Sequence, residues 1–160
     1  MTPLCPECGA PLPPEVGACR ARFHDLLALE SRIPGGPDEA AHYLAVTAYN
    51  LQHPSAFTTE ARAHMLAGLE GALSGELTVD DVRRQTRRRY DGPKRVLRER
   101  GVAPGDPGNA PVPGWPTEWP VTVAHALGAE PDQGSYHSRV REWAEAVLET
   151  LRALSFGGDS

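Results

Sequence analysis

The sequence predicts an all-α fold, a bundle of helices with a cysteine-containing loop at its N-terminus. Apolar residues recur at spacings of three and four over several stretches, which is typical of helices that bury one face. Convincing alternation of strand type appears nowhere. The 16 Gly and 16 Pro cluster between the periodic stretches, where they break helices rather than mark a disordered chain. We therefore expect ordered helices separated by Gly- and Pro-rich segments, the longest of them before the last helices.

The first two helices form a predicted hairpin. The first begins after Cys19 and ends at the Pro/Gly turn of residues 34–37, and the second occupies residues 38–52. The second helix is apolar almost all round at its centre, so we expect it to lie in the middle of the bundle. The apolar face of the first helix comprises Phe23, Leu26, Leu27 and Ile33.

Three further helical segments follow the hairpin. Thr58 is the predicted N-cap of the third helix, and Thr78 with Asp81 resembles a capping box that opens the fourth. A short segment over 121–127 precedes the last helix. The apolar stripe of that last helix comprises Tyr136, Val140, Trp143, Val147, Leu151 and Leu154.

The chain of 160 residues is predicted to form a single domain. A zinc knuckle over 1–20 leads into a helical core over 21–100. A Pro/Gly-rich, extended surface connection over 101–120 then leads to C-terminal helices over 121–155 that pack back on the core. No stretch approaches the ~20 apolar residues that span a membrane. The N-terminus has no signal pattern, so we expect a cytoplasmic protein without membrane contact.

Two polar residues stand within apolar helical stretches. We interpret Glu30 as a solvent-facing charge or as a member of an ion pair within its own helix. Gln52 stands at the end of the second helix, where it acts either as a capping residue or as a site residue. The sequence does not separate these two roles.

The cysteines point to a metal. Cys5 and Cys8 lie in a Cys-Pro-Glu-Cys-Gly sequence, and Cys19 is the only other cysteine. Two thiolates at this spacing on a tight turn can bind one ion, with a third from the next element. Without an export signal a disulfide framework is disfavoured, and without a preceding strand so is a thioredoxin-like redox pair. The sequence therefore predicts Zn²⁺.

The geometry of the hairpin indicates the fourth ligand. Cys19 lies about as far before the turn as His53 lies after it, so both fall at the same end. His42 and His24 remain alternatives, although one lies near the opposite end and the other faces away from Cys19. The predicted ligands of this closed site are Cys5, Cys8, Cys19 and His53. A closed site favours a structural metal, and a binding or regulatory role for an unidentified protein or small-molecule partner, over catalysis.

Three other histidines support an alternative hypothesis, a metal-dependent enzyme of helical-bundle type. His42, His125 and His137 could converge from different helices around a second ion that keeps an open coordination position. No HxxxH pair marks the last helix, and no acidic second shell is identifiable. Each of these histidines is therefore better interpreted by itself as a solvated or hydrogen-bonded structural residue.

A basic stretch supports a third hypothesis, a nucleic-acid-associated factor. Residues 83–100 contain nine Lys or Arg against two acidic residues. Two rows of arginine on a helix could follow phosphates. The net charge of −5 and the near absence of aromatic residues from this stretch weigh against the hypothesis. We expect these arginines to pair with the protein's own acidic residues instead, for instance Glu142, Glu145 and Glu149 of the last helix. The rows comprise Arg83 with Arg87 and Arg84 with Arg88.

Residues 42–54 read His-Tyr-Leu-Ala-Val-Thr-Ala-Tyr-Asn-Leu-Gln-His-Pro. With the CPxCG start and the later lone cysteine, this segment resembles a bacterial family of unknown function that carries His-x-Leu-x-Val-x-x-Tyr-x-x-Gln-His-Pro. A Thr-Val pair at 122–123 and a Trp-Ala pair at 143–144 are similar too. His125 stands where that family usually has an acidic residue, and Arg20 where it has an aromatic. The resemblance implies a metal and a helical fold and brings no activity.

Overall fold

The computed structural model describes residues 1–35, 38–90, 111–128 and 135–157 of the chain. Within these ranges the fold is all-α, as predicted, with six α-helices and no strand. The helices are α1 (Cys19–Ser31), α2 (Glu39–Gln52), α3 (Thr59–Ser74), α4 (Val79–Tyr90), α5 (Val123–Leu127) and α6 (Tyr136–Gly157). A 3₁₀ turn over Pro54–Ala56 joins α2 to α3. No helix in the described ranges is long and apolar enough to cross a membrane.

Side-chain caps begin two of these helices where the sequence predicts them. The hydroxyl of Thr58 accepts the backbone N–H of Ala61 at 3.1 Å and thereby starts α3. Thr78 and Asp81 form the predicted capping box before α4, with reciprocal hydrogen bonds of 3.1 and 2.9 Å. Each bond satisfies an N–H group that has no partner within its helix.

Helix α2 lies in the middle of the bundle, as its composition predicts. It packs mainly against α6 and also against α3, while α5 contacts both α1 and α6. Burial of large apolar side chains from all these helices in one cluster is the main stabilising term of the fold. Buried members of that core include Leu26, Leu51, Leu69, Val140, Trp143 and Val147.

Gln52 is a buried link between three parts of the chain. Its Oε1 accepts the indole N–H of Trp143 at 3.0 Å, and its Nε2 donates to the backbone oxygen of Val121 at 2.7 Å. The amide thus connects the end of α2 to α6 and to the segment before α5. This is a positioning role inside the core rather than the capping role that the sequence left open.

Two predictions about single residues are wrong. Leu154 belongs to the predicted buried stripe of α6 but is 44% exposed. Helix α6 has 22 residues and α2 has 14, so at ~1.5 Å per residue the last turns of α6 extend beyond α2. Glu30 is not solvent-facing: its residue is only 4% exposed. Its carboxylate contacts α2 and α6 rather than its own helix.

The predicted connection over 101–120 is described only from residue 111 onward. That part contains no helix, and two tryptophans anchor it to the bundle. The indole N–H of Trp115 donates to the backbone oxygen of Leu51 at 2.7 Å. Trp119 is buried, and its N–H donates to the backbone oxygen of Glu7 at 3.4 Å. The segment over 111–120 therefore packs against the end of α2 and the N-terminal loop.

Candidate metal centre

The segment between Cys5 and Cys8 forms a tight loop held by backbone hydrogen bonds. The backbone N–H of Cys5 donates to the backbone oxygen of Ala10 at 2.8 Å, and the N–H of Gly9 donates to the backbone oxygen of Cys5 at 2.9 Å. Gly9 has a φ of +77°, and a Cβ there would lie 3.0 Å from the backbone oxygen of Thr117. Glycine is therefore required by the backbone conformation and by the close approach of the 111–120 segment.

The other two residues of the predicted site come from the two helices of the hairpin. Cys19 is the first residue of α1, and His53 is the C-cap of α2. The ligand atoms of the four predicted residues lie within 4.8 Å of one another, and all four side chains are buried. Across the described ranges no other group of three or more Cys, His, Asp or Glu side chains lies close enough to share an ion. His24 and His42, the alternatives for the fourth position, lie outside the group.

Two distances inside the cluster are close to the edges of a tetrahedral zinc site. With Zn–S bonds of ~2.3 Å and Zn–N bonds of ~2.0–2.1 Å, a tetrahedron has S···S edges of ~3.8 Å and S···N edges of ~3.6 Å. The sulfurs of Cys8 and Cys19 are 3.5 Å apart, and Cys5 Sγ lies 3.6 Å from Nε2 of His53. The four side chains are therefore spaced as ligands of one ion.

The ring of His53 is oriented for ligation through Nε2. Its Nδ1 donates to the backbone oxygen of Tyr49, one turn earlier in α2, at 2.8 Å. This bond places the ring hydrogen on Nδ1, so the lone pair of Nε2 faces the sulfurs. A metal-binding histidine characteristically donates its other ring N–H to such a partner, which sets both tautomer and orientation.

Stacked aromatic rings support the histidine. The ring of His53 lies 4.2 Å from that of Tyr49, which in turn stacks at 4.2 Å on Phe23 of α1. The Tyr49 hydroxyl is buried and has no hydrogen-bond partner within the described part of the chain. Tyr49 also lines, with Cys5, Cys19 and His53, a cavity of about 130 Å³ beside the cluster.

Without a metal, the cluster shares protons among its members. Hydrogen bonds, first from Cys19 and then from Cys8, lower the pKa of the Cys5 thiol. The pKa of Cys19 is raised by its hydrogen bonds to Cys5 and Cys8 and by burial. Burial opposes a charge on His53, but its hydrogen bonds with Cys5 and Cys8 outweigh this and raise its pKa to about 10. A thiolate and an imidazolium therefore lie side by side, where a cation would displace the proton.

Glu7 is a residue of the centre that sequence reasoning missed. It lies between the two cysteines of the loop and is only 2% exposed. Its carboxylate accepts the backbone N–H of Ser55 at 3.0 Å, which joins the loop to the turn after α2. Burial raises the pKa of this carboxyl group. The CPxC pattern by itself leaves that position unspecified, so no sequence signal could have identified it.

The structure does not bring together the three histidines of the enzyme hypothesis. Nδ1 of His42 lies 2.7 Å from a carboxylate oxygen of Glu30, and Nε2 of His137 lies 3.8 Å from one of Asp38. His125 caps the first turn of its own helix, α5, with its Nδ1 accepting a backbone N–H at 3.1 Å. Each ring thus has a separate partner, and within the described ranges the three do not form a group that could share an ion.

The basic stretch is described only up to Tyr90. Arg83 pairs with Glu39 of α2 at 3.2 Å, and Arg84 pairs with Asp81 of α4 at 2.5 Å. These two arginines therefore pair with the protein's own acidic residues, as predicted, although the acids lie in α2 and α4 and not in the last helix. Residues 91–100 of the stretch lie outside the described residues. The arginines of the two predicted rows are exposed: Arg83, Arg84, Arg87 and Arg88.

Comparison with known proteins identifies one family that matches the chain. No match was found among curated proteins or among solved structures. A family of unknown function, DUF5946, matches over residues 4–152, a range that contains all four members of the cluster and all helices except the end of α6. The chain therefore belongs to the DUF5946 family of unknown function.

Proposed function

We propose that the chain binds one Zn²⁺ through Cys5, Cys8, Cys19 and His53, and that the ion is structural. The observation that carries this proposal is the geometry of four buried donor atoms within 4.8 Å of one another. Thiolate and imidazole donors favour Zn²⁺ over oxygen-seeking cations such as Mg²⁺ or Ca²⁺. Four protein ligands complete a tetrahedron and leave no position for a substrate.

The proposed role of the ion is to hold the N-terminal loop on the helical hairpin. The loop itself contains no helix, and its contacts with the rest of the chain include the cluster and the hydrogen bonds of Glu7 to Ser55 and Trp119. A metal that joins the loop to both α1 and α2 would replace the hydrophobic burial that so small a segment cannot provide. We infer a binding or regulatory module whose partner is a protein or a small molecule, and whose metal centre is non-catalytic.

Two wider features belong to the same proposal. One contiguous core contains residues from Cys5 to Leu151, which supports a single domain over 1–160. Three reduced thiols around a metal suit a reducing compartment, which supports a cytoplasmic location. A nucleic-acid role receives less support, since acidic neighbours already pair with two arginines of the rows.

Metal analysis of the purified full-length chain tests the proposal. We expect about one zinc per chain in the unaltered protein and almost none in Cys8→Ser, since loss of one thiolate opens the site. His24→Ala is the matched control, because this exposed α1 histidine lies outside the cluster. Unaltered zinc content in Cys8→Ser would contradict the proposal, as would a second ion that is lost on His42→Ala.

A further inference from the structure

A second polar cluster lies at the opposite end of the α1–α2 hairpin. Its centre is Glu30, a residue only 4% exposed that is contributed by the last turn of α1. One carboxylate oxygen contacts Nδ1 of His42 in α2 at 2.7 Å, and the other accepts a hydrogen bond from the hydroxyl of Tyr136 in α6. Three helices thus each supply one member of a chain of hydrogen bonds.

Proton positions in this chain follow from the chemistry of its members. A carboxylate can only accept, so both neighbours of Glu30 must donate to it. Burial, together with the hydrogen bond to Glu30 and its charge, raises the pKa of Tyr136, so the phenol keeps the proton that it donates. His42 therefore carries a hydrogen on Nδ1. In the neutral ring the lone pair is then on Nε2.

His42 is accessible to solvent, unlike the other two residues of this hydrogen-bonded chain. Tyr136 is 1% exposed, whereas the side chain of His42 is 46% exposed. Nδ1 is held by Glu30, and Nε2 has no hydrogen-bond partner among the described residues. The ring can therefore present its basic nitrogen to a molecule from solvent, while its orientation is set from inside the bundle.

Stability alone is a weak reason for this arrangement. Burial of a carboxylate carries a desolvation cost, and well-packed apolar side chains in its place are often neutral or stabilising. A buried carboxylate behind a half-exposed histidine is instead a common way to fix the tautomer of a working imidazole.

We propose that His42 is the proton acceptor of a second functional site, for a ligand or substrate that presents a hydroxyl group, water included. Glu30 and Tyr136 are its positioning residues. In the simplest reaction of this class, Nε2 takes a proton from water as the water oxygen adds to an ester carbonyl. The ester C–O bond then breaks, and Nε2 gives the proton to the departing alkoxide, so that the alcohol leaves, the carboxylic acid is formed and the neutral imidazole is restored.

Hydrolysis of 4-nitrophenyl acetate by the full-length protein tests the proposal. The variant His42→Asn retains an amide donor near the position of Nδ1 but has no atom at Nε2. We expect it to be about 100-fold slower than the unaltered protein, the lower limit for a positioned general base. Glu30→Gln should be at least about tenfold slower, the usual loss when the carboxylate behind a histidine is removed. His24→Asn is the matched control and should not change the rate.

Two further measurements separate this role from a structural one. Circular dichroism and thermal melting of each variant show whether the bundle is intact, and only folded variants are compared. Nitrogen-15 NMR of the unaltered protein should find His42 protonated on Nδ1, and Glu30→Gln should lose this preference. Equal hydrolysis by the unaltered protein and His42→Asn would overturn the proposal, and so would a hydrogen on Nε2 of the neutral ring.

Discussion

His53 makes a different contact through each of its two ring nitrogens, and its protonation should make zinc affinity depend on pH. Nδ1 donates to a backbone oxygen, while Nε2 faces the cysteine sulfurs. In the metal-free cluster the pKa of this ring is raised to about 10. At pH 7 the ring therefore holds a proton that Zn²⁺ must displace, and zinc affinity should rise with pH.

Calorimetry measures this displacement directly. Zinc titrations at pH 7 in buffers of different ionisation enthalpy give the number of protons released. We expect His53→Ala to release about one proton fewer than the unaltered chain, because one protonated ligand is gone. His24→Ala should release the same number as the unaltered chain. Equal proton release by His53→Ala would show that this histidine is not a ligand.

Gln52 supports a second prediction at the scale of single residues. In Gln52→Leu the indole N–H of Trp143 and the backbone oxygen of Val121 lose their partner inside the core. We expect a loss of about 2–4 kcal/mol in the free energy of unfolding, since each unsatisfied buried polar group costs about 1–3 kcal/mol. Denaturant unfolding measures the change.

A double-variant cycle isolates the indole bond. In a Trp143→Phe background there is no indole N–H to leave unpaired, so Gln52→Leu should cost about 1 kcal/mol less there. Equal costs in the two backgrounds would mean that this hydrogen bond contributes no coupling energy.

At the scale of elements, the contact between α2 and α3 depends on one glycine. A Cβ at Gly68 would overlap the hydroxyl oxygen of Tyr43, although its distance of 3.6 Å from the ring carbon that bears the hydroxyl is ordinary. Alanine improves helix propensity by up to about 1 kcal/mol, but a clash in a packed interface costs about 1–3 kcal/mol. We therefore expect Gly68→Ala to destabilise the protein.

Removal of the Tyr43 hydroxyl should reverse the sign of the stability change that Gly68→Ala causes. In Tyr43→Phe the overlapping atom is gone, so Gly68→Ala should stabilise by up to about 1 kcal/mol through helix propensity alone. Thermal melting of the two single variants and the double variant decides the matter. If Gly68→Ala destabilises equally in both backgrounds, the hydroxyl contact does not limit the approach of the helices.

At the scale of the whole molecule, the sequence predicts features that residues close together in the chain determine. It does not predict features that depend on contacts between distant residues. The helices, their caps and the cysteine cluster follow from short spacings and from the symmetry of one hairpin. The environment of Glu30 depends on the position of α6 relative to α1, and the environment of Glu7 depends on the position of Trp119. Both contacts join residues more than 100 positions apart. Periodicity shows that such helices are buried but not which neighbour each face meets.

The unequal contribution of the loop and the helices to the core leads to a last prediction, for removal of zinc from the intact protein. The large buried apolar side chains of the core lie in the helices, mainly in α2 and α6, and not in the N-terminal loop. We therefore expect a chelator to lower the melting temperature without abolishing the helical circular dichroism. Hydrogen exchange should become fast over residues 1–18 and over 111–120, which packs on the loop, and remain slow in α6. Complete loss of helix on chelation would show that folding of the bundle depends on the ion, as in isolated zinc fingers. Unchanged exchange over 1–18 would show that the loop needs no metal.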